Sequence, residues 1–291
     1  MSIIKYEIVN KVAFENSFTK AAEALGMTQS AVSHAVSSLE REFGFALFHR
    51  NRAGLTLTSE GEAILRKMRL VLEAEELVQQ EATNLLGMTT GTLRIGVISS
   101  ISSSWMPGLI QMMDQHYPGI TIVLREGDYY EIERWLTNGE IDAGFLNAMD
   151  SEQFHYITLR KDPLLCVVSK ESRFYARTKV DIHELQDEPF VLISYRGDND
   201  VLRLLDKYEV KPNIRFVLSE EMGVLSMIVH HIGITILPQM SITYLPDGLK
   251  VVPLMQGSYR MIGIALRKNP SPAATKFVSI LRDWIDEQYR K

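Results

Sequence analysis

The apolar positions of the chain follow three successive patterns, and each predicts a different kind of element. Ile4, Ile8, Val12 and Ala13 recur at helical spacing, predicting a first helix that ends near Glu15. Ala21, Ala22 and Leu25 predict a short second helix, capped by Ser17 or Thr19 and stopped at Gly26. Thr28 can cap a third, in which Val32, Val36, Leu39 and Phe43 form one stripe at i, i+4, i+7 and i+11. Turn residues from Asn51 to Gly54, followed by alternating Leu55 and Leu57, predict a hairpin. The second pattern is a long helix over 60–86, opened by a capping box of Ser59 and Glu62. Its Ile64, Met68, Val71, Val78, Ala82 and Leu85 form an apolar seam that needs a partner, which a coiled-coil-like dimer would supply.

The third pattern starts at Gly91, where short apolar runs alternate with helical segments. Strands are expected at 92–98, 121–124 and 141–146, with helices through Leu109 and Met113 and through Ile132, Trp135 and Leu136. After Asp162-Pro163 a second set follows at 164–169, 190–193, 214–218 and 234–238. A run at 262–266 then returns the chain to the first set, where a helix over 273–288 packs. The alternation predicts α/β architecture with a largely parallel sheet.

The polar positions give the third helix its interest. Gln29, Ser30, Ser33, His34 and Ser37 lie off its apolar stripe, where a surface helix usually carries charge. Serine is a mediocre helix former, so several on one face call for a cause. A helix-turn-helix whose second helix enters a major groove supplies one: the Gln29 amide suits adenine, the serines suit bases or phosphates, and His34 can donate to guanine or phosphate. Thr19, Lys20 and Thr28 stand at the neighbouring helix starts. Arg50 and Arg52 at the hairpin tip make a wing that can meet the phosphate backbone or a narrow minor groove.

Bulk composition bounds this reading. At 291 residues two or three domains are expected, and 46% hydrophobic with 23% charged residues fits folded cores. The net charge of −5 opposes indiscriminate binding of nucleic acid, so DNA affinity should rest on geometry and on more than one copy. The single Cys166, in an apolar run, excludes an intrachain disulfide and a cysteine-built metal site. No signal-peptide pattern and no bilayer-length apolar run is present, which gives a cytoplasmic expectation with no membrane partner.

The order Phe14, Ser17-Phe18-Thr19, Ala21-Ala22-Glu23, Leu25, Gln29-Ser30-Ala31-Val32-Ser33, Leu39-Glu40, Phe43-Gly44, Leu47-Phe48, Arg50, Leu57-Thr58 and Gly61 resembles the LysR-type transcriptional regulators. Weaker motifs continue the likeness: Leu93-x-Ile95-Gly96, Pro118, Leu136-x-x-Gly139-x-Ile141-Asp142 and Val229-x-x-Ile232-Gly233-Ile234-x-x-Leu237-Pro238. The chain departs from the family at Ser30, where proline is common, at His34, where arginine is common, and at His231, where a small residue such as glycine is usual. The resemblance implies an N-terminal winged helix-turn-helix over 1–58 and a linker and dimerisation helix over 59–88. It implies a C-terminal effector-binding domain over 89–291, made of two Rossmann-like α/β subdomains of the periplasmic-binding-protein type. Subdomain I would comprise 89–161 and 263–291, and subdomain II 162–262. The implied partners are double-stranded operator DNA, a small-molecule effector, a homodimer or homotetramer, and RNA polymerase.

Ligands of open α/β sheets bind beyond the carboxyl ends of strands, near helix N-termini. That points to Ser99, Ser100 and Ser102 after the first strand and to Ser194, Tyr195 and Arg196 after a strand of the second set. Gly127-Asp128 and Glu220-Glu221-Met222 would form further walls. Arg196 suits a carboxylate, so a small organic acid is the expected effector. No cofactor is expected.

Enzymatic signatures are missing: there is no Walker loop, no Gly-x-Gly-x-x-Gly, no His-Glu-x-x-His and no Gly-x-Ser-x-Gly. His230 and His231, adjacent on an expected helix, do not make the i, i+4 pair a metal wants. A constitutive DNA binder, with an α/β domain that serves only oligomerisation, remains the alternative to a metabolite-gated switch.

Overall fold

Side-chain caps set the phase of the N-terminal helices in the computed structural model of the chain. The structure describes every residue outside 1, 52–53, 86–89, 148–153, 194–198 and 290–291, without the side chains of 50, 51, 54 and 84. The chain divides into two compact units, Met1–Gly91 with Thr137–Glu140, and Thr92–Leu136 with Ile141–Lys291.

In the first unit, α1 (Ile3–Glu15), α2 (Phe18–Ala24) and α3 (Gln29–Phe43) pack around Val9, Val12, Ala21, Val32, Val36 and Leu39. Ser17 Oγ accepts from the Lys20 amide, so Ser17 rather than Thr19 caps α2. Thr28 Oγ1 accepts from the Ala31 amide at 3.2 Å and caps α3, and Gly44 ends that helix at φ 81°. Ile4, expected inside, is 62% exposed, and Val9 joins Ile8 and Val12 in the core instead. At 100° per residue Ile4 lies about 80° round from Val12, on the rim of the apolar stripe.

The hairpin is β1 (Phe48–Asn51) paired antiparallel with β2 (Gly54–Leu57). Glu40 of α3 accepts from the Leu47 amide at 2.8 Å and ties the hairpin's entry to that helix. The long helix α4 (Ser59–Leu85) follows. Its cap is Thr58, not the expected Ser59: Thr58 Oγ1 accepts from the Gly61 amide at 2.8 Å while donating to the Ala46 carbonyl at 2.7 Å. Thr58 is buried and fixed from both sides, whereas the Ser59 hydroxyl turns outward to Glu60. A Cβ on Gly61 would stand 2.1 Å from the Leu47 carbonyl oxygen, so this first turn admits only glycine. Leu65 and Met68 join the core of the unit, but Val78 and Leu85 remain 67% and 80% exposed.

The second unit runs β3 (Gly91–Val97), α5 (Ser99–Ser104), α6 (Met106–His116), β4 (Ile120–Glu126), α7 (Tyr129–Thr137), β5 (Ala143–Leu146) and β6 (Phe154–Ser169). It continues through β7 (Pro189–Ile193), α8 (Asp200–Lys207), β8 (Asn213–Leu218), α9 (Glu221–Val229), β9 (Thr235–Pro238), β10 (Leu249–Pro253), β11 (Tyr259–Arg267) and α10 (Pro272–Tyr289). The principal sheet has the order β10-β6-β11-β5-β3-β4, with β9 also on β6.

The largely parallel sheet of the sequence reading is corrected to a mixed one. β3 pairs parallel with β5, and β7 parallel with β8. The pairs β11/β5, β11/β6, β10/β6 and β6/β9 are antiparallel. The reason lies in β6, which begins ten residues before the expected Leu164. Its first half pairs with β11 and its second with β9 and β10, so one strand leaves a first core and enters a second. The first core gathers Trp105, Phe145, Phe277 and their neighbours. The second gathers Cys166, Phe174, Phe190, Ile236 and Val252, with a layer of Val191, Leu225 and Ile228 beside it.

The expected helical placement of His230 and His231 is also corrected: α9 stops at Val229, and His231 adopts a left-handed φ of 58°. Gly233 follows two residues later, where a Cβ would stand 2.4 Å from the Pro189 carbonyl oxygen.

Candidate functional site

On the first unit, the residues singled out in the sequence share the start of α3 and its surroundings. Thr19, Lys20, Thr28, Gln29, Ser30 and His34 are exposed, while Ser33 and Ser37 are half-buried. Thr28 Oγ1 and Ser30 Oγ lie 3.0 Å apart, so the cap and the first turn present hydroxyls together. Val32, Val36 and Leu39 hold the opposite side of α3 in the core, which fixes the polar face outward. Arg41, exposed and one turn beyond Ser37, donates to the Ser37 carbonyl at 3.3 Å and adds a cation that the sequence reading missed. The Arg50 side chain and Arg52 lie outside the described residues.

The second unit contains a cavity of about 500 Å³. It opens where β3, β4, β7, β8 and β9 end, and residues at or just past those ends line it: Ile98–Ser100, Gly127–Tyr129, Ile193, Ser219–Glu221 and Pro238. This is the strand-end crevice expected of an α/β sheet. Of the residues named from sequence, Ser99, Ser100, Asp128 and Glu221 line it. Ser102 does not: it lies about 200° round α5 from Ser100. Met222, expected as part of a wall, points to solvent. Ser194, Tyr195 and Arg196 lie outside the described residues.

The serine run is less available than its hydroxyl count suggests. Ser103 and Ser104 donate back to carbonyls one turn earlier in α5. Ser99 Oγ donates to Glu221 Oε1 at 3.0 Å, linking the start of α5 to the start of α9. Ser100 Oγ accepts from Arg260 Nη2 at 2.7 Å.

Arg260 was not anticipated and organises one wall. It is 6% exposed and pairs with Asp162, itself 1% exposed, through Nε and Nη2 at 2.8 Å. Its Nη1 faces the Tyr129 hydroxyl at 3.4 Å, and that hydroxyl in turn faces Asp200 at 3.5 Å. Asp200 also accepts from Asn147 Nδ2 at 2.6 Å and from Arg203. Burial pushes the Tyr129 phenol well above its ordinary range, so it stays protonated and can donate. Burial likewise lifts the Asp162 carboxyl, although Arg260 pulls the other way. The signal in the sequence was an arginine at the start of β11, directly before its apolar run Met261–Leu266.

Among the described residues no group of three or more His, Cys, Asp or Glu could hold a metal ion, and no helix is long and apolar enough to cross a membrane. Cys166 lies in the interior of β6, and burial pushes its thiol up to about 12.

Comparison with known proteins covers both regions. The family model described as bacterial regulatory helix-turn-helix protein, lysR family, matches residues 5–62, and that described as LysR substrate binding domain matches residues 87–286. The uncharacterized HTH-type transcriptional regulator YvbU of Bacillus subtilis (strain 168) is 33% identical over 97% of this chain and 98% of its own. A full-length OxyR variant from Pseudomonas aeruginosa shares the fold with a TM-score of 0.76 at 22% identity, covering 98% of this chain and 95% of that one. Full-length CbnR in complex with its target DNA gives a TM-score of 0.68 at 19% identity over 97% and 99%. The two matched domains span nearly the whole chain, with the polar face of α3 inside the first and the strand-end cavity inside the second: the chain belongs to the LysR family of transcriptional regulators.

Proposed function

We propose that the chain reads operator DNA through the polar face of α3 and that a small molecule in the strand-end cavity gates that reading. The observation that carries the proposal is the pairing, in one chain, of a capped helix exposing Gln29, Ser30 and His34 with a cavity lined from five strand ends. Ser33, Ser37, Thr19, Lys20 and Thr28 complete the DNA-facing set, with Arg50 and Arg52 as wing cations. In the cytoplasm, 1–58 acts as the winged helix-turn-helix, 59–88 as the dimerisation helix and 89–291 as the effector domain, whose subdomains meet near 161/162 and 262/263. The exposed Val78 and Leu85 of α4 support pairing into a homodimer or homotetramer, because an apolar seam left in water is costly. Two α3 helices one DNA turn apart would offset the weak attraction of an acidic protein for DNA. Effector binding then shifts the population of assembled states, changing the DNA bend and recruitment of RNA polymerase.

The test isolates genomic fragments retained by the full-length protein and measures their affinity and gel mobility with and without the small-molecule extract of the native cell. A shift in either, lost on filling the cavity with Val201→Trp, is the expected result. Identical binding with and without extract would instead favour the constitutive DNA binder.

A further inference from the structure

Among the described residues, the charge lining the cavity is opposite in sign to that expected for an acid. Six carboxylates line it: Glu126, Asp128, Glu131, Asp200, Glu220 and Glu221. Among the described residues the lining contains one cationic side chain, Arg260, and its guanidinium is already bonded to Asp162, with Ser100 on the same nitrogen. Part of this acidity has a structural role. Asp128 and Glu131 exchange hydrogen bonds across the first turn of α7, Asp200 opens α8, and Glu220 and Glu221 open α9. Each helix N-terminus carries roughly half a positive charge, so three of them offset on the order of one and a half negative charges. Arg203 offsets one more at Asp200. The described lining still holds a clear negative excess, at a cavity where low-dielectric walls strengthen its field.

We infer that the effector is a small organic cation, an amine or guanidine with more than one positive centre, rather than an organic acid. The inference rests on the cavity being the effector site. A bare metal ion fits poorly, because the described carboxylates are spread around the walls and nowhere converge as a ligand group. Ile98, Ile193, Val201 and Pro238 add apolar lining, which suits a short carbon chain joining the cationic ends. Asp200 anchors one wall through Tyr129 and Asn147, and Glu221 anchors another through Ser99, so both acceptors are held in place before a ligand arrives.

The test is titration calorimetry on the full-length protein with linear diamines of three to five carbons and agmatine, against dicarboxylates of matched length. Saturable binding of at least one cation is expected, weakened about tenfold by the Glu220→Gln/Glu221→Gln pair and further by added salt. Glu220 is exposed, so Glu220→Gln alone keeps the test usable if the pair misfolds. Dicarboxylate binding that Val201→Trp abolishes, without diamine binding, would overturn the charge assignment and leave the effector cavity standing. Binding of neither series would overturn the assignment, and so would diamine binding indifferent to Glu220, Glu221 and Val201. The last result would remove the cavity reading as well.

Discussion

The two candidate sites are built in opposite ways. The face of α3 draws its polar residues from nine consecutive positions, Gln29 to Ser37, and its orientation from an apolar stripe in the same helix. The cavity draws its lining from segments as distant as Ser100 and Arg260, 160 residues apart in sequence but joined by one hydrogen bond. A surface encoded in one helix can be read from periodicity, because 100° per residue fixes which side chains share a face. A surface assembled from five strand ends depends on strand order, which periodicity does not carry.

The contrast explains what was legible. The three N-terminal helices, their caps at Ser17 and Thr28, and the exposed face of α3 follow from local pattern. The strand ends also followed, at Ile193 and within one residue of the expected Ile98, since they mark where apolar runs stop. Arg260, Tyr129 and Asp200 did not: their roles come from packing between β11, α7 and α8, and nothing local distinguishes Asp200 from any acidic helix start. The first half of β6 escaped because Phe154 to Asp162 carries charges among its apolar residues, and only its pairing with β11 makes it a strand.

Breaking each region should show the difference, with the largest effect in the distributed one. Asp162→Ala leaves the Arg260 guanidinium buried without its ion partner, which should cost about 3–5 kcal/mol in urea unfolding of the second unit. A loss below about 1 kcal/mol would show that this pair is not what holds β6 and β11 to the cavity wall.

Leu39→Ala, in the fully buried stripe of α3, should cost about 2–4 kcal/mol. The loss should fall on the first unit, leaving the near-ultraviolet signal of Trp105, Trp135 and Trp284 in place at the temperature where helicity first drops. Simultaneous loss of both signals would deny the two units separate stability.

Cys166 supplies a pH test confined to the second unit. Its thiol ionises near 12 when folded, against 9.0 for the ordinary group, so the unfolded chain loses its proton first as pH rises. Stability should therefore be unaffected by this group below pH 9 and fall above it, by up to about 1.4 kcal/mol per pH unit. Cys166→Ala should flatten that slope. An unchanged slope would assign it elsewhere.

Two smaller effects probe the departures from the family pattern. His231→Gly should stabilise the second unit by about 0.5–1 kcal/mol, because φ 58° suits glycine better than a side chain. A loss of stability would mean that the histidine side chain contributes more than its backbone costs. His34→Arg, which places a permanent cation on α3, should steepen the salt dependence of operator binding by about one counterion. An unchanged slope would put His34 away from the phosphates.

The claim common to all of this is that the polar face of α3 selects the DNA. Its most direct measurement is the set of genomic fragments retained at physiological salt by the wild-type protein and by Gln29→Ala/Ser33→Ala. The wild type should hold a small, reproducible set. The double variant should lose that preference while keeping its thermal unfolding and its weak, salt-sensitive binding to bulk DNA. Retention of the same fragments by both proteins, with equal preference, would contradict the account.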